Sequence, residues 1–512
     1  MSINVTGESL INGTWQTGAA TTMSKIYSID PVTGNQIGDA FSAVSEDQID
    51  DACSNAWSAF ETYRTVSAPA RADLLESMAD ELVSVAEQLV PVVIKETALP
   101  EARVRGELGR TTGQIRLFSM LLRSGDWNRI RTDPAQPGRD PVPKPELRLR
   151  YRPIGPVAVF GASNFPLAFS VAGGDTISAL AAGCSVVIKA HPAHPATSEI
   201  VARALDRALA KTDLPKGVVS LIHGGPEVGL GLVRHPRIRA VGFTGSRDAG
   251  CQIMEAAAAR DVPIPVFAEM SSVNPVFVLP NALEHRTYEI ANKLAQSICL
   301  GAGQFCTNPG LVFLVGNKVN QNCFADKLAE NISAASGEPM LTPGIADNYA
   351  SSVERLGKQP GVLTIAIGKA AGLARPPCLF RVSVDEFIKN KELQAEAFGA
   401  SSLLVDVPST ADMSSLLDHL EGQLTATLHL DEADAELAQR LLPLVEDRVG
   451  RILVNGFPTG VEVSPAMVHG GPFPATSDVR TTSVGTLAID RFLRPVCYQD
   501  FPSWLLPAEF LD

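Results

Sequence analysis

The chain has 512 residues, more than one hydrophobic core organises, so two or three domains are expected. Its 45% apolar residues include only 6% aromatics, a balance that suits helix–sheet layers packed with small side chains. A net charge of −13 repels phosphate backbones and excludes nucleic acid as a partner, and no uninterrupted apolar run approaches the roughly 18 residues of a membrane span.

Met1-Ser2-Ile3-Asn4-Val5 lacks the basic-then-apolar pattern of a leader. Eight cysteines are scattered at 53, 184, 251, 299, 306, 323, 378 and 497, with no C-x-x-C pair. That usage predicts reduced thiols in a cytoplasmic enzyme and no structural zinc.

Residues 1–44 are expected to form short antiparallel strands, punctuated by Asn12-Gly13 and Asp30-Pro31-Val32-Thr33-Gly34. Ser45-Glu46-Asp47-Gln48 is a near capping box, followed by Ile49, Ala52, Ala56 and Phe60 at helical spacing. Amphipathic helices are expected over 68–93 and 101–122, then a Pro- and Arg-rich loop over 130–145. Leu/Arg alternation over 147–152 predicts an edge or hairpin strand. From Gly155 a strand–Gly–helix pattern repeats to about 270: strands at 157–160, 185–189, 218–222 and 240–244, helices at 167–182, 197–210 and 246–259. Such alternation predicts a doubly wound parallel sheet. A second α/β segment runs to about 478, ending in the glycine-rich stretch 455–471, and residues 483–489 are a candidate terminal strand.

Three residues on turns supply the parts of acyl chemistry on sulfur. Cys306 lies in Gly301-Ala302-Gly303-Gln304-Phe305-Cys306-Thr307, before Asn308-Pro309-Gly310, where backbone can approach a ligand; Cys299 reads as packing. Glu269 ends the apolar run Ile264-Pro265-Val266-Phe267-Ala268, and desolvation there is expected to raise its pKa toward that of a general base. Asn164, in Gly161-Ala162-Ser163-Asn164-Phe165-Pro166, is either a helix cap or an amide donor to an oxyanion.

Gly242-Phe243-Thr244-Gly245-Ser246 joins a strand to a helix, where backbone amides meet a pyrophosphate, but it lacks the full G-x-G-x-x-G fingerprint. Lys189 ends a parallel strand, a position suited to a ribose or phosphate. His191 and His194 are separated by proline, against helical metal-pair geometry, and no metal is expected.

With these residues in view, the chain resembles the aldehyde dehydrogenase superfamily nearly end to end. The resemblance rests on Asn164-Phe165-Pro166, Lys189, Phe243-Thr244-Gly245-Ser246, Glu269-Met270, Gly303-Gln304-Phe305-Cys306 and Glu396-Ala397-Phe398-Gly399. It implies an α/β fold of two doubly wound parallel-sheet domains with a small β oligomerisation arm. The implied boundaries are 1–137 and 157–281 for the NAD(P)-binding domain, 282–478 for the catalytic domain, and 138–156 with 479–512 for the arm. It further implies Cys306 as nucleophile, Glu269 as general base, and Asn164 with the Cys306 amide as oxyanion hole. Lys189, Gly245, Ser246, Glu396 and Phe398 would hold NADP or NAD, in a homodimer or homotetramer acting on a small-molecule aldehyde.

Ser163 to Ser170, Lys189 to Pro195 and Asn455-Gly456-Phe457-Pro458-Thr459-Gly460-Val461 are similar to the branch containing 2-oxoglutarate semialdehyde (2,5-dioxovalerate) dehydrogenases and a related NADP-preferring fatty-aldehyde dehydrogenase. Medium- or long-chain aldehydes are therefore the alternative substrates, with Arg116 and Phe457 as candidate substrate contacts. Glu269 weighs against CoA-acylating chemistry, and the intact Cys306, Glu269 and Asn164 against a silent nucleotide-binding or structural protein. The departures are Pro192, where NAD-preferring members carry a glutamate, Ser271-Ser272 in place of Gly-Gly, and Ala400 in place of proline.

Overall fold

The computed structural model describes residues 4–20 and 25–510. The strand–Gly–helix repeat builds a seven-stranded sheet in the order Val266–Glu269, Ala240–Thr244, Val157–Phe160, Val186–Lys189, Val219–Ile222, Ser9–Ile11, Thr14–Gln16. The first five strands are parallel, and the N-terminal pair joins antiparallel, as the turn signals predict.

Side chains alternate across this sheet with period two. Val157, Val159, Val186 and Ile188 enter the core on one face, while Ala158, Phe160, Val187 and Val241 enter the core on the other. With both faces covered, the strands read as continuous apolar runs rather than alternating ones.

A second seven-stranded sheet follows in the order Leu363–Ile367, Cys378–Ser383, Ser401–Val407, Leu311–Val315, Val276–Val278, Gln423–His429, Val449–Val454. All its pairings are parallel except the first. Its faces divide in the same way, with Phe313 and Val405 on one side and Val312 and Leu404 on the other.

Several expected boundaries move. The 68–93 helix breaks at Val85, which leaves helical geometry at φ −102° and ψ 5°, giving Ala68–Ser84 and Ala86–Thr97. The helix expected from 167 starts only at Gly174. Before it the chain folds back, with the Ala162 amide donating to the Phe169 carbonyl at 2.8 Å. Glu107 Oε1 accepts from the Leu167 and Ala168 amides at 2.9 and 3.0 Å, taking the donors a helix start would leave free.

Leu147–Pro153 is neither edge nor simple hairpin. It is the middle of a three-stranded antiparallel sheet, flanked by Arg131–Asp133 and Leu493–Gln499. The terminal strand is therefore Leu493–Gln499, not 483–489. Residues Thr486–Phe492 form a 3₁₀ helix whose Ala488, Ile489 and Phe492 pack into the first domain's core. The small sheet thus takes strand residues from 131 on one side and only from 493 on the other.

Residues after 470 are pulled across the first domain. Met270 N donates to Ala475 O at 2.8 Å, and Ser477 N donates to Ala268 O at 2.9 Å. This return segment carries the end of the second domain to the carboxyl edge of the first sheet.

Candidate active site

Parallel strands place their chemistry at their carboxyl ends. Asn164 follows Val157–Phe160, Lys189 ends Val186–Lys189, Gly245 follows Ala240–Thr244, and Glu269 ends Val266–Glu269. Cys306 precedes a strand of the second sheet, on the loop between the helix Thr287–Cys299 and the strand Leu311–Val315.

That loop runs through three consecutive left-handed residues, Gly301, Ala302 and Gly303, at φ 55°, 56° and 69°. A Cβ on Gly303 would lie 2.3 Å from the Gly399 carbonyl carbon, so only glycine lets the nucleophile loop meet the Glu396–Gly399 segment. Asn274 fixes the far side, its Nδ2 donating to the Cys306 and Asn308 carbonyls, each at 2.9 Å.

Cys306 Sγ lies 3.4 Å from His469 Nε2, and that same nitrogen lies 2.9 Å from Glu269 Oε1. The three ligand-type atoms fall within 4.8 Å of one another. Ser483 Oγ donates to the other carboxylate oxygen at 2.7 Å. The return segment delivers both residues, with His469 N donating to Thr482 Oγ1 and Ser483 N to His469 O.

Burial, followed by the neighbouring Glu269 charge, pushes the Cys306 thiol well above its ordinary value. Thiolate formation therefore needs a proton acceptor in contact, and both the His469 imidazole and the Glu269 carboxylate are there. Glu269 departs from expectation. Burial acts to raise its pKa, but His469, Ser483 and Cys306 together outweigh burial, and the carboxyl is held below its usual range.

Asn164 is not a helix cap. Its Nδ2 donates one hydrogen to Gln304 O at 3.1 Å, which leaves the second amide hydrogen free beside the cysteine loop. Arg103 stacks on Phe165 and Phe305 at 4.7 and 4.8 Å and donates to the Asn164 carbonyl.

Cys306, Glu269, Asn164, Gly245, Ser246, Glu396 and Phe398 all line one cleft of about 850 Å³ between the two sheets. Ser246 caps the helix Arg247–Ala258, its Oγ accepting from Ala249 N while Arg247 N donates to Ser271 Oγ, and the positive end of this helix dipole lies at the cleft wall. Glu396 is raised to about 7, chiefly by burial. Burial lowers Lys189 to about 8, with Glu227 offsetting it in part. Lys189 itself does not line the cleft, whereas His191, Pro192 and Ala193, just beyond it, do.

A cleft of this volume, lined by a helix N-terminus and a buried carboxyl, fits a dinucleotide. The residues after the base also fit. Ser272 Oγ donates toward Gln423 Oε1 and accepts from Leu424 N, so hydroxyls hold the turn where glycines were expected.

The aldehyde dehydrogenase family model matches residues 15–471. The chain belongs to that family. It is 49% identical over 509 residues to an alpha-ketoglutaric semialdehyde dehydrogenase 2 from Azospirillum brasilense, covering 99% of this chain and 96% of that one. An alpha-ketoglutaric semialdehyde dehydrogenase from Acinetobacter baylyi is 46% identical, with the same coverage of 99% and 96%. A betaine aldehyde dehydrogenase mutant from Staphylococcus aureus, solved with NAD+, superposes with a TM-score of 0.82 at 19% identity, covering 98% and 99% of the two chains.

Two expected substrate contacts of this aldehyde dehydrogenase are not brought to the cleft. Arg116 points to the neighbouring helix, 2.9 Å from Asp80 and 3.5 Å from Glu76, with 41% of its side chain exposed. At 100° per residue it lies about 240° around the helix from Arg110, which faces inward. Phe457 packs on His429, ring centroids 4.8 Å apart, against a core of the second domain.

Four residues escape sequence reading: His469, Ser483, Asn274 and Arg110. His469 stands in Val468-His469-Gly470-Gly471, and that glycine-rich setting is the one signal that sets it apart from an ordinary buried histidine. Among the described residues, no helix is long and apolar enough to cross a membrane.

Proposed function

We propose that this aldehyde dehydrogenase oxidises 2-oxoglutarate semialdehyde to 2-oxoglutarate with NADP or NAD, through a thiohemiacetal and a thioester on Cys306. The carrying observation is the contact of Cys306 Sγ and Glu269 with one imidazole nitrogen of His469, beside the dinucleotide-shaped cleft. The substrate itself rests on the two relatives identical at 49% and 46%.

His469 takes the thiol proton as sulfur adds to the aldehyde carbon. Asn164 Nδ2 and the Cys306 amide hold the oxyanion. The cofactor, held in the cleft, would supply the hydride acceptor that takes the adduct on Cys306 to the thioester level. Glu269 then draws a proton from water, which attacks the acyl carbon and frees the acid and the thiol.

Lys189, Gly245, Ser246, Glu396 and Phe398 are the residues proposed to hold the cofactor. Pro192 offers no carboxylate to repel a 2′-phosphate, so both cofactors serve. In the free enzyme Lys189 is charged below about pH 8. A bound phosphate raises that value, so the Kd for NADP is flat below pH 8 and weakens up to tenfold per unit above it, while that for NAD is unaffected. Fluorescence titration with both cofactors from pH 6.5 to 9.5 checks this, and parallel curves would remove Lys189 from the 2′-phosphate.

The domain limits stated above remain part of this reading, as do a cytoplasmic location and a homodimer or homotetramer built through the arm. Val142 and Trp504, 61% and 80% exposed beside the small sheet, support an assembly surface there.

Initial rates with 2-oxoglutarate semialdehyde, succinic semialdehyde, glutaraldehyde and long-chain aldehydes, each with both cofactors, test the assignment. The expected result is the highest kcat/KM for the five-carbon acid. A preference for long-chain aldehydes would overturn it in favour of a fatty-aldehyde dehydrogenase, and acyl-CoA formation on adding CoA would overturn hydrolysis as the release step.

A further inference from the structure

On the inward face of the helix Glu101–Ser124 lies a cation with nothing to bind. All three guanidinium nitrogens of Arg110 are buried without a hydrogen-bond partner, a condition no other arginine among the described residues shares. The group rests on the rings of Phe169 and Phe165, at 5.1 and 5.7 Å. Phe169 in turn packs on His469, centroids 6.2 Å apart, and His469 touches Cys306. One aromatic ring therefore separates the guanidinium from the imidazole at the nucleophile. Burial lowers the Arg110 pKa, and the charges that oppose this are Glu107 first, then Cys306 and Glu269.

Its neighbours do not satisfy it. Glu107, one turn earlier, spends Oε1 on the Leu167 and Ala168 amides, and the ion pair it makes, at 3.8 Å, is with Arg103. Arg103 is committed to that pair and to the Asn164 carbonyl. Arg451, the other buried arginine near the sulfur, donates both terminal nitrogens to the carbonyls of Gly460 and Pro458. Of these three arginines, Arg110 alone has every guanidinium nitrogen unpaired, and because the group is sealed behind Phe165 and Phe169, a carboxylate reaches it only as those rings give way.

Leaving such donors unmet in a buried site is costly, and an anion of matching geometry removes the cost. Four carbon–carbon bonds of about 1.5 Å put the far carboxyl carbon of an extended five-carbon acid semialdehyde about 5 Å from its aldehyde carbon.

We propose that Arg110 is the receptor for the distal carboxylate of the substrate, and that it sets the preference for acidic over neutral aldehydes. The inference rests on the semialdehyde reading above and gives it a residue. An aldehyde ending in a methyl group leaves the fork unpaired, so it is rejected by an unmet donor set rather than by size.

The test uses the full-length enzyme as wild type, Arg110→Met and Arg110→Lys, with 2-oxoglutarate semialdehyde and pentanal as substrates and 2-oxoglutarate as a competitive inhibitor. In Arg110→Met, kcat/KM for the acid is expected to fall about 10²- to 10³-fold, mostly through KM, while that for pentanal holds or rises. The Ki of 2-oxoglutarate should rise in parallel, and Arg110→Lys should recover part of both losses. Activity on pentanal reports that each variant is folded.

Equal losses on both substrates, or an unchanged Ki for 2-oxoglutarate, would overturn the receptor role and leave Arg110 structural. A wild type with no preference for the acid would overturn the substrate reading itself, a result the variants cannot mimic.

Discussion

Glu269→Gln is expected to release about one equivalent of reduced cofactor per subunit in a rapid burst and then to stall, with steady-state turnover down about 10³-fold. The carboxylate stands at the end of Val266–Glu269, buried, with one oxygen on Ser483 and the other against His469. Glutamine keeps the shape and the Ser483 contact but cannot take a proton from water, so the thioester forms and persists.

The substitution also separates the two half-reactions by sign. The Glu269 charge is one of the causes holding the Cys306 thiol high, so its removal lowers the thiol pKa and alkylation by iodoacetamide at pH 7 should speed up. In the resting enzyme the thiol helps hold Glu269 below the ordinary carboxylate range. Acylation of sulfur removes that hydrogen bond, so the base strengthens once there is a thioester to hydrolyse. Stopped-flow absorbance of the burst, with alkylation rates beside it, measures both effects. Loss of the burst together with steady-state activity would place Glu269 in acylation instead.

What could be read from the amino acids was whatever local pattern determines. Apolar runs closed by glycine, at 157–160 and 240–244, and the run that ends in a carboxylate at 266–269 name strands whose carboxyl ends must hold Asn164, Gly245 and Glu269, and those residues do converge on one cleft. The glycines around Cys306 announce a loop that only close backbone approach explains, and Gly303 against Gly399 is that approach.

What escaped was long-range. His469 and Ser483 reach Glu269 because the segment after residue 470 crosses to the first sheet, and no periodicity encodes that crossing. The same crossing reverses the expected pKa shift. Apolar neighbours in sequence predict a raised carboxyl, whereas its partners in space are an imidazole, a hydroxyl and a thiol.

Helix phase is what separates Arg116 from Arg110. Both are arginines on one helix, but the rotation of that helix is set by what packs against it. Thr111, Ile115 and Phe118 are buried in the core, and this turns Arg116 out to Asp80. Similarly, an alternating strand pattern at 147–152 tells that a strand exists but not how many neighbours it has, and a partner contributed from residues 493–499 makes it central.

His469→Ala should slow acylation by about 10²-fold or more and change the pH dependence of both half-reactions. Sγ sits 3.4 Å from Nε2, in a pocket where burial disfavours the thiolate, so losing the imidazole removes a proton acceptor in contact with sulfur. Alkylation of Cys306 at pH 7 should fall, the opposite of the Glu269→Gln result. Glu269 changes in the other sense. Its contact with His469 is what chiefly opposes burial, so without the ring its pKa rises, and the pH below which deacylation fails moves upward. His469→Gln fills the space beside Phe169 and keeps a hydrogen-bond donor, but it accepts no proton from a thiol at neutral pH. A proton-transfer role predicts that glutamine restores stability without restoring the alkylation rate. Recovery of wild-type alkylation and pH profile in His469→Gln would show that the ring only props the loop, and the thiol would then need Glu269 itself as its first proton acceptor.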